Sequence, residues 1–193
     1  TWKTPGRTEI GRQNLENLVS LGVDHIDYQV NPDVERRFMR VTFERYGSTA
    51  IPMHLAIFNI PAKVAVRFGI PLIVWGENSE FEYGGMGGQS AGFRLDDAWL
   101  ERYGATHGTT ATDWLSDGLT DKDLAAYFGP TSLEMEEAGT NGVFLGHYFR
   151  WDPVATAEIA EANGFSRNLA GPRTGYYDHA DIDDTFISVH HWM

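Results

Sequence analysis

An unbroken apolar run, Ile70-Pro71-Leu72-Ile73-Val74-Trp75, ends directly in Gly76, Glu77 and Asn78. A carboxylate at such a point can hold Mg²⁺ or accept a proton, and an amide can read a ligand edge. Glu80, Phe81, Glu82, Tyr83, Gly84 and Gly85 follow, with further glycines at 87 and 88. Glu77, Glu80 and Glu82 would raise one another's pKa where they converge, and would simply be solvated where they splay apart. Glycines let backbone approach a bound molecule closely. Trp75 and Tyr83 can stack on a base or sugar, or can belong to the core.

A second acidic group comprises Asp178, Asp181, Asp183 and Asp184, with His179 beside the first of them. Carboxylates with one histidine can bind a divalent metal. At a helix start the same aspartates complement the helix dipole. His190 and His191 are adjacent, so on a helix they point about 100° apart and do not share a metal easily. His54, His107 and His147 stand alone and read as structural or exposed. The chain has no G-x-x-x-x-G-K-[ST], no G-x-G-x-x-G and no G-x-S-x-G. The glycines at 84–88 follow a loop instead of opening a helix, which makes them weak evidence for a phosphate site.

The run at 70–75 is rich in Ile and Val, as in a strand buried on both faces. In open α/β sheets ligands bind beyond the carboxyl ends of such strands, where Gly76, Glu77 and Asn78 fall. Upstream, the spacing predicts a helix over residues 8–21, with Ile10, Leu15, Leu18 and Leu21 along one side and Gly22 as its stop. A strand follows at residues 25–30. A helix opens at Asn31-Pro32, burying Val34, Phe38 and Val41 and ending at Gly47. A third runs from about 53 to 68, split or kinked at Pro61. Trp2 reads as the tail of a strand. This order is the grammar of an α/β domain with parallel strands. Two strands are few for an open sheet, and the chain starts at Thr1 and stops within a helical pattern, so it is expected to be a piece of a longer protein.

Downstream the pattern turns mainly helical. Helices are expected at 96–103, from a Thr120–Asp123 capping box through 128, at 130–138, from Asp152-Pro153 to Gly164 with Val154, Ile159 and Ala160 inward, and at 181–193. Residues 142–149 are a strand or a buried turn. The division is thus a partial α/β nucleotide-binding domain over residues 1–80 and a mainly helical region over 81–193, a change of layer more than a firm boundary.

With 193 residues and 42% hydrophobic content the chain can build a core. A net charge of -12 argues against nucleic acid held by charge alone. No apolar run reaches membrane-span length, and with no charged-then-apolar stretch in these residues no secretion signal is expected. The absence of cysteine excludes disulfides and thiolate metal sites and fits a cytoplasmic protein.

Several segments together resemble one family. They are Gly11-Arg12-Gln13-Asn14-Leu15-Glu16-Asn17-Leu18, Gly22-Val23-Asp24-His25-Ile26, and residues 70–78 with Glu82-Tyr83-Gly84-Gly85. Further on come Leu145-Gly146-His147-Tyr148 with Trp151-Asp152, Gly164-Phe165, and Ile182-Asp183-Asp184. In that order they are similar to the N-acetyl sugar amidotransferases of bacterial lipopolysaccharide and O-antigen synthesis. Those enzymes belong to the PP-loop ATP pyrophosphatase superfamily, of adenine-nucleotide α-hydrolase fold. The resemblance implies a Rossmann-like parallel sheet, ATP and Mg²⁺, a nucleotide-linked N-acetyl sugar and a glutaminase partner supplying ammonia. It places Glu77 and Asn78 in catalysis. Trp75, Gly76, Glu82, Tyr83, Gly84 and Gly85 fall on the nucleotide and sugar, and Asp183 and Asp184 more weakly on metal.

The superfamily's S-G-G-x-D-S loop and the family's cysteine pairs do not occur here. A sugar-nucleotide binding module without catalysis is therefore the competing reading. A carboxylate-dependent sugar hydrolase ranks last, since one flexible loop rarely fixes two carboxylates at the separation required.

Overall fold

The structure is a computed structural model. It describes residues 1–77, 97–116, 118–150, 152–174 and 176–187. The chain forms two compact units, one from residues 1–29 with 152–193 and one from residues 30–151. The change of layer expected at residues 80–81 lies outside the described residues.

The second unit holds the sheet. Helix α1 (Glu9–Ser20) belongs to the first unit, and α2 (Pro32–Tyr46) opens the second. The Asn31 side chain accepts the Asp33 N–H at 3.0 Å, and Pro32 occupies the first turn, where a missing N–H costs nothing. Gly47, at φ 67°, closes α2 and donates its N–H to the Phe43 carbonyl. Val34, Glu35, Phe38 and Thr42 are buried along α2, while the expected Val41 is half-buried. Helix α3 (Ile51–Phe68) starts two residues earlier than its pattern suggested and runs unbroken through Pro61. Proline there removes a single donor, and the apolar face that includes Leu55, Phe58, Ile60, Ala62 and Ala65 continues on both sides of it. Gly69, at φ 64°, ends the helix.

Strand β1 (Leu72–Trp75) pairs in parallel with β2 (Asn141–Phe144), in the register Leu72–Asn141 to Trp75–Phe144. These form the sheet among the described residues. The expected double burial of β1 is not found. Ile73 and Trp75 are half-buried, whereas Leu72 and Val74 are each 52% exposed. Successive strand residues point to opposite faces, and α3 covers one of them.

Between the strands lie α4 (Asp97–Tyr103), a 3₁₀ turn (Ala111–Trp114), α5 (Asp121–Leu124) and α6 (Ser132–Glu137). Three capping boxes, Thr110–Asp113, Thr120–Asp123 and Thr131–Glu134, start the last three. Helix α5 stops well short of residue 128. A second 3₁₀ turn (Leu145–His147) follows β2, so residues 142–144 are in the expected strand, while the turn after it is largely exposed and not buried. The core of this unit has two aromatic centres. In one, Phe38 meets Tyr127 and Trp114 edge-on at 4.9 and 5.6 Å. The other joins Phe58, Trp99 and Phe144.

In the first unit, Thr8 caps α1 and Asp152 caps α7 (Pro153–Ala162). The strand expected at residues 25–30 reduces to one parallel bridge between Tyr28 and Trp2. The inward face expected of α7 is also revised. Ala157 is its buried residue, and Val154 and Ile159 are exposed. Residues 181–186 are not helical. Backbone bonding ties residues 182–184 to the start of α1 instead. The Thr8 N–H donates to the Asp183 carbonyl at 2.9 Å, the Thr8 hydroxyl donates to Ile182, and Asp184 bridges Arg7 antiparallel. Among the described residues no helix is long and apolar enough to cross a membrane.

Candidate functional site at the strand ends

Because β1 and β2 run parallel, their carboxyl ends finish side by side. The ladder begins with the Asn141 N–H on the Pro71 carbonyl at 2.9 Å, and the Thr140 hydroxyl reinforces it on the Ile70 carbonyl. It extends past the last strand pair, where the Gly146 N–H donates to the Glu77 carbonyl at 3.2 Å. Gly76 and Glu77 are thereby strapped against the turn Leu145–His147, some seventy residues away in sequence.

Each residue at this edge has a distinct environment. The half-buried Trp75 ring lies 5.2 Å from Phe58, against the cluster of Phe58, Trp99 and Phe144. Its indole N–H is buried without a partner among the described residues. This packing commits the ring to the core. A Cβ built on Gly76 meets nothing within 4 Å, so local crowding does not demand glycine there. Glu77 is half-buried, and its backbone is fixed by the bond to Gly146. Asn78, Glu82, Tyr83, Gly84 and Gly85 lie outside the described residues.

The structure adds His147 and Tyr148 to this edge. His147 is exposed in the turn after β2, and its ring meets Tyr148 edge-on at 5.2 Å. Read alone, His147 looked structural or exposed. Pairing residues 72–75 with 141–144 was the missing signal, and a two-residue gap from Phe144 then places it.

Asp183 and Asp184 belong to the other unit, and they occupy unlike surroundings. Asp184 is buried, and its Oδ1 accepts the Phe186 N–H at 2.5 Å. Arg173 donates to its carbonyl at 3.0 Å. Asp184 thus organises its own turn. Asp183 lines a cavity and remains open to solvent, yet burial on its protein side pushes its pKa up. Neighbouring Asp184 and Asp181 add to that rise, while its own backbone N–H and Arg7 oppose it. Among the described residues, no three His, Asp or Glu side chains gather as a metal site.

A nucleotide-bound magnesium needs only one or two protein carboxylates, with phosphate and water completing its shell. Glu77 is the described carboxylate at the strand ends. Neither protein-family models nor curated proteins gave a match to this chain.

Proposed function

We propose that this chain is part of an ATP-dependent amidotransferase that converts the acetamido group of a nucleotide-linked sugar into an acetamidino group, in surface-polysaccharide synthesis. One observation carries the reading. Two segments of the family resemblance, W-G-E at 75–77 and L-G-H at 145–147, end two parallel strands at one edge and share a backbone hydrogen bond. Carboxyl ends of parallel strands are where α/β sheets bind nucleotides. A Rossmann-like, adenine-nucleotide α-hydrolase arrangement accords with the helix-then-strand order.

The chemistry follows from the poor leaving ability of an amide oxygen. Transfer of AMP to that oxygen, with loss of pyrophosphate, makes it a good leaving group. Ammonia from a glutaminase then forms the new C–N bond as AMP departs. Mg²⁺ would supply charge neutralisation on the departing pyrophosphate. Glu77 is the described carboxylate placed to hold it, and Gly76 leaves the approach open. Asn78, Glu82, Tyr83, Gly84 and Gly85 are proposed to line the acceptor. Cytoplasmic location fits the nucleotide substrates.

The reading requires an S-G-G-x-D-S loop, which these 193 residues lack. That absence favours one alternative, a catalytically incomplete sugar-nucleotide binding module. Pyrophosphate release from ATP, ammonium and UDP-N-acetylhexosamines by the complete gene product separates the two. The enzyme releases pyrophosphate only when the sugar is present. The binding module takes up the sugar nucleotide with no turnover.

A further inference from the structure

The first unit contains a cavity of about 560 Å³, within the range of small-molecule pockets. Nothing in the proposed amidotransferase chemistry uses it. Its apolar walls come from α1 and α7. Leu18 and Leu21 line it and are 51% and 57% exposed, and Ile159 opposite them is 67% exposed. Phe165 and Ile182 extend the same surface. Large aliphatic side chains left wet on two helices favour an occupant that covers them.

The polar wall is acidic. Asp181 and Asp183 line the cavity with Arg7 and His179. The Arg7 guanidinium on this wall is engaged with Asp27, to which it donates at 3.1 and 3.4 Å. Trp2, only 6% exposed, also lines the cavity. The asparagines on the wall are committed elsewhere. Asn14 exchanges hydrogen bonds with the Ser166 backbone, and Asn17 donates to the Gly164 carbonyl at 2.6 Å.

We propose that this cavity is a binding site for a small organic cation, an ammonium or amidinium on an apolar body. The body covers Leu18, Leu21 and Ile159, and the charged nitrogen donates to Asp183. The site is independent of the strand-end edge and of the amidotransferase reading.

The test uses benzamidine and its neutral relative of similar size and shape, benzamide, in calorimetric titrations with amide-shift mapping by NMR. Benzamidine is expected to bind about tenfold tighter, the scale of one charge-assisted hydrogen bond, with shifts at Leu18, Ile159 and Asp183. Asp183→Asn should bring benzamidine to the affinity of benzamide. Ile159→Arg, at an exposed position that leaves the fold intact, should abolish benzamidine binding by placing a competing cation there. Equal affinity for the two probes, no binding of benzamidine, or affinity unchanged in both variants would overturn the proposal.

Discussion

A Cβ at position 11 would lie 2.5 Å from the carbonyl oxygen of Asp183 and 2.6 Å from its Cα. Both contacts are to backbone that Thr8 already holds, so neither can retreat cheaply. Gly11→Ala is expected to cost about 1–3 kcal/mol, an overpacking penalty that exceeds alanine's helix preference. A urea midpoint shift measures it, and an unchanged midpoint would mean that the 182–184 segment does not cross α1 there. Asp183 gives a second test. Its folded pKa is raised, so its favourable contribution is complete below the ordinary aspartate value and is lost as pH rises through the raised one. Asp183→Asn should therefore be at least as stable as the wild type at pH 7, with that advantage shrinking toward pH 4. A variant less stable at pH 7 would contradict the sign. Neither effect was legible from residue types. Gly11 looks like any helix glycine, and the aspartates look like a helix start, until the chain is seen to return across α1.

Among elements, the ends were legible and the long-range partners were not. Thr8, Asn31, Thr120 and Asp152 cap the helices their spacing announced, and Gly47 and Gly69 close theirs, because capping is decided within a few residues. The Asp152 carboxylate accepts two N–H groups, from Val154 and Ala155, at 3.1 Å each. Asp152→Ala should cost about 1 kcal/mol and speed hydrogen exchange in the first turn of α7. Exchange unchanged there would show that tertiary contacts hold the helix start. The expected split at Pro61 is not found, because a continuous buried face outweighs one lost hydrogen bond. The inward face assigned to α7 failed because periodicity cannot say which side of an apolar helix finds a partner. Here Ala157 found one, and Ile159 was left on a cavity wall.

At the scale of the molecule, the net charge of -12 opposes compactness in both units. Added sodium chloride screens that repulsion, so the melting temperature should rise between 20 and 300 mM salt, conditions chosen to span Debye lengths from roughly 20 Å to 6 Å. A fall would show that specific ion pairs, such as Arg7–Asp27 and Arg37–Asp123, outweigh the net repulsion. The α/β grammar was readable as helix-then-strand order. The joining of residues 1–29 with the distant segment after 152 was not, since no local pattern encodes it. The strand-end edge shows the same division. Trp75, Gly76 and Glu77 stood out from an apolar run that stops abruptly, while His147 needed the parallel register to bring it there. Pyrophosphate release by the complete gene product, with ATP, ammonium and UDP-N-acetylhexosamines, tests the amidotransferase reading most directly. Release that depends on the sugar, and falls at least about tenfold in a folded Glu77→Gln variant, is the predicted result. Full turnover in Glu77→Gln, or no sugar-dependent release in the wild type, would contradict the placement of the active site at the ends of β1 and β2.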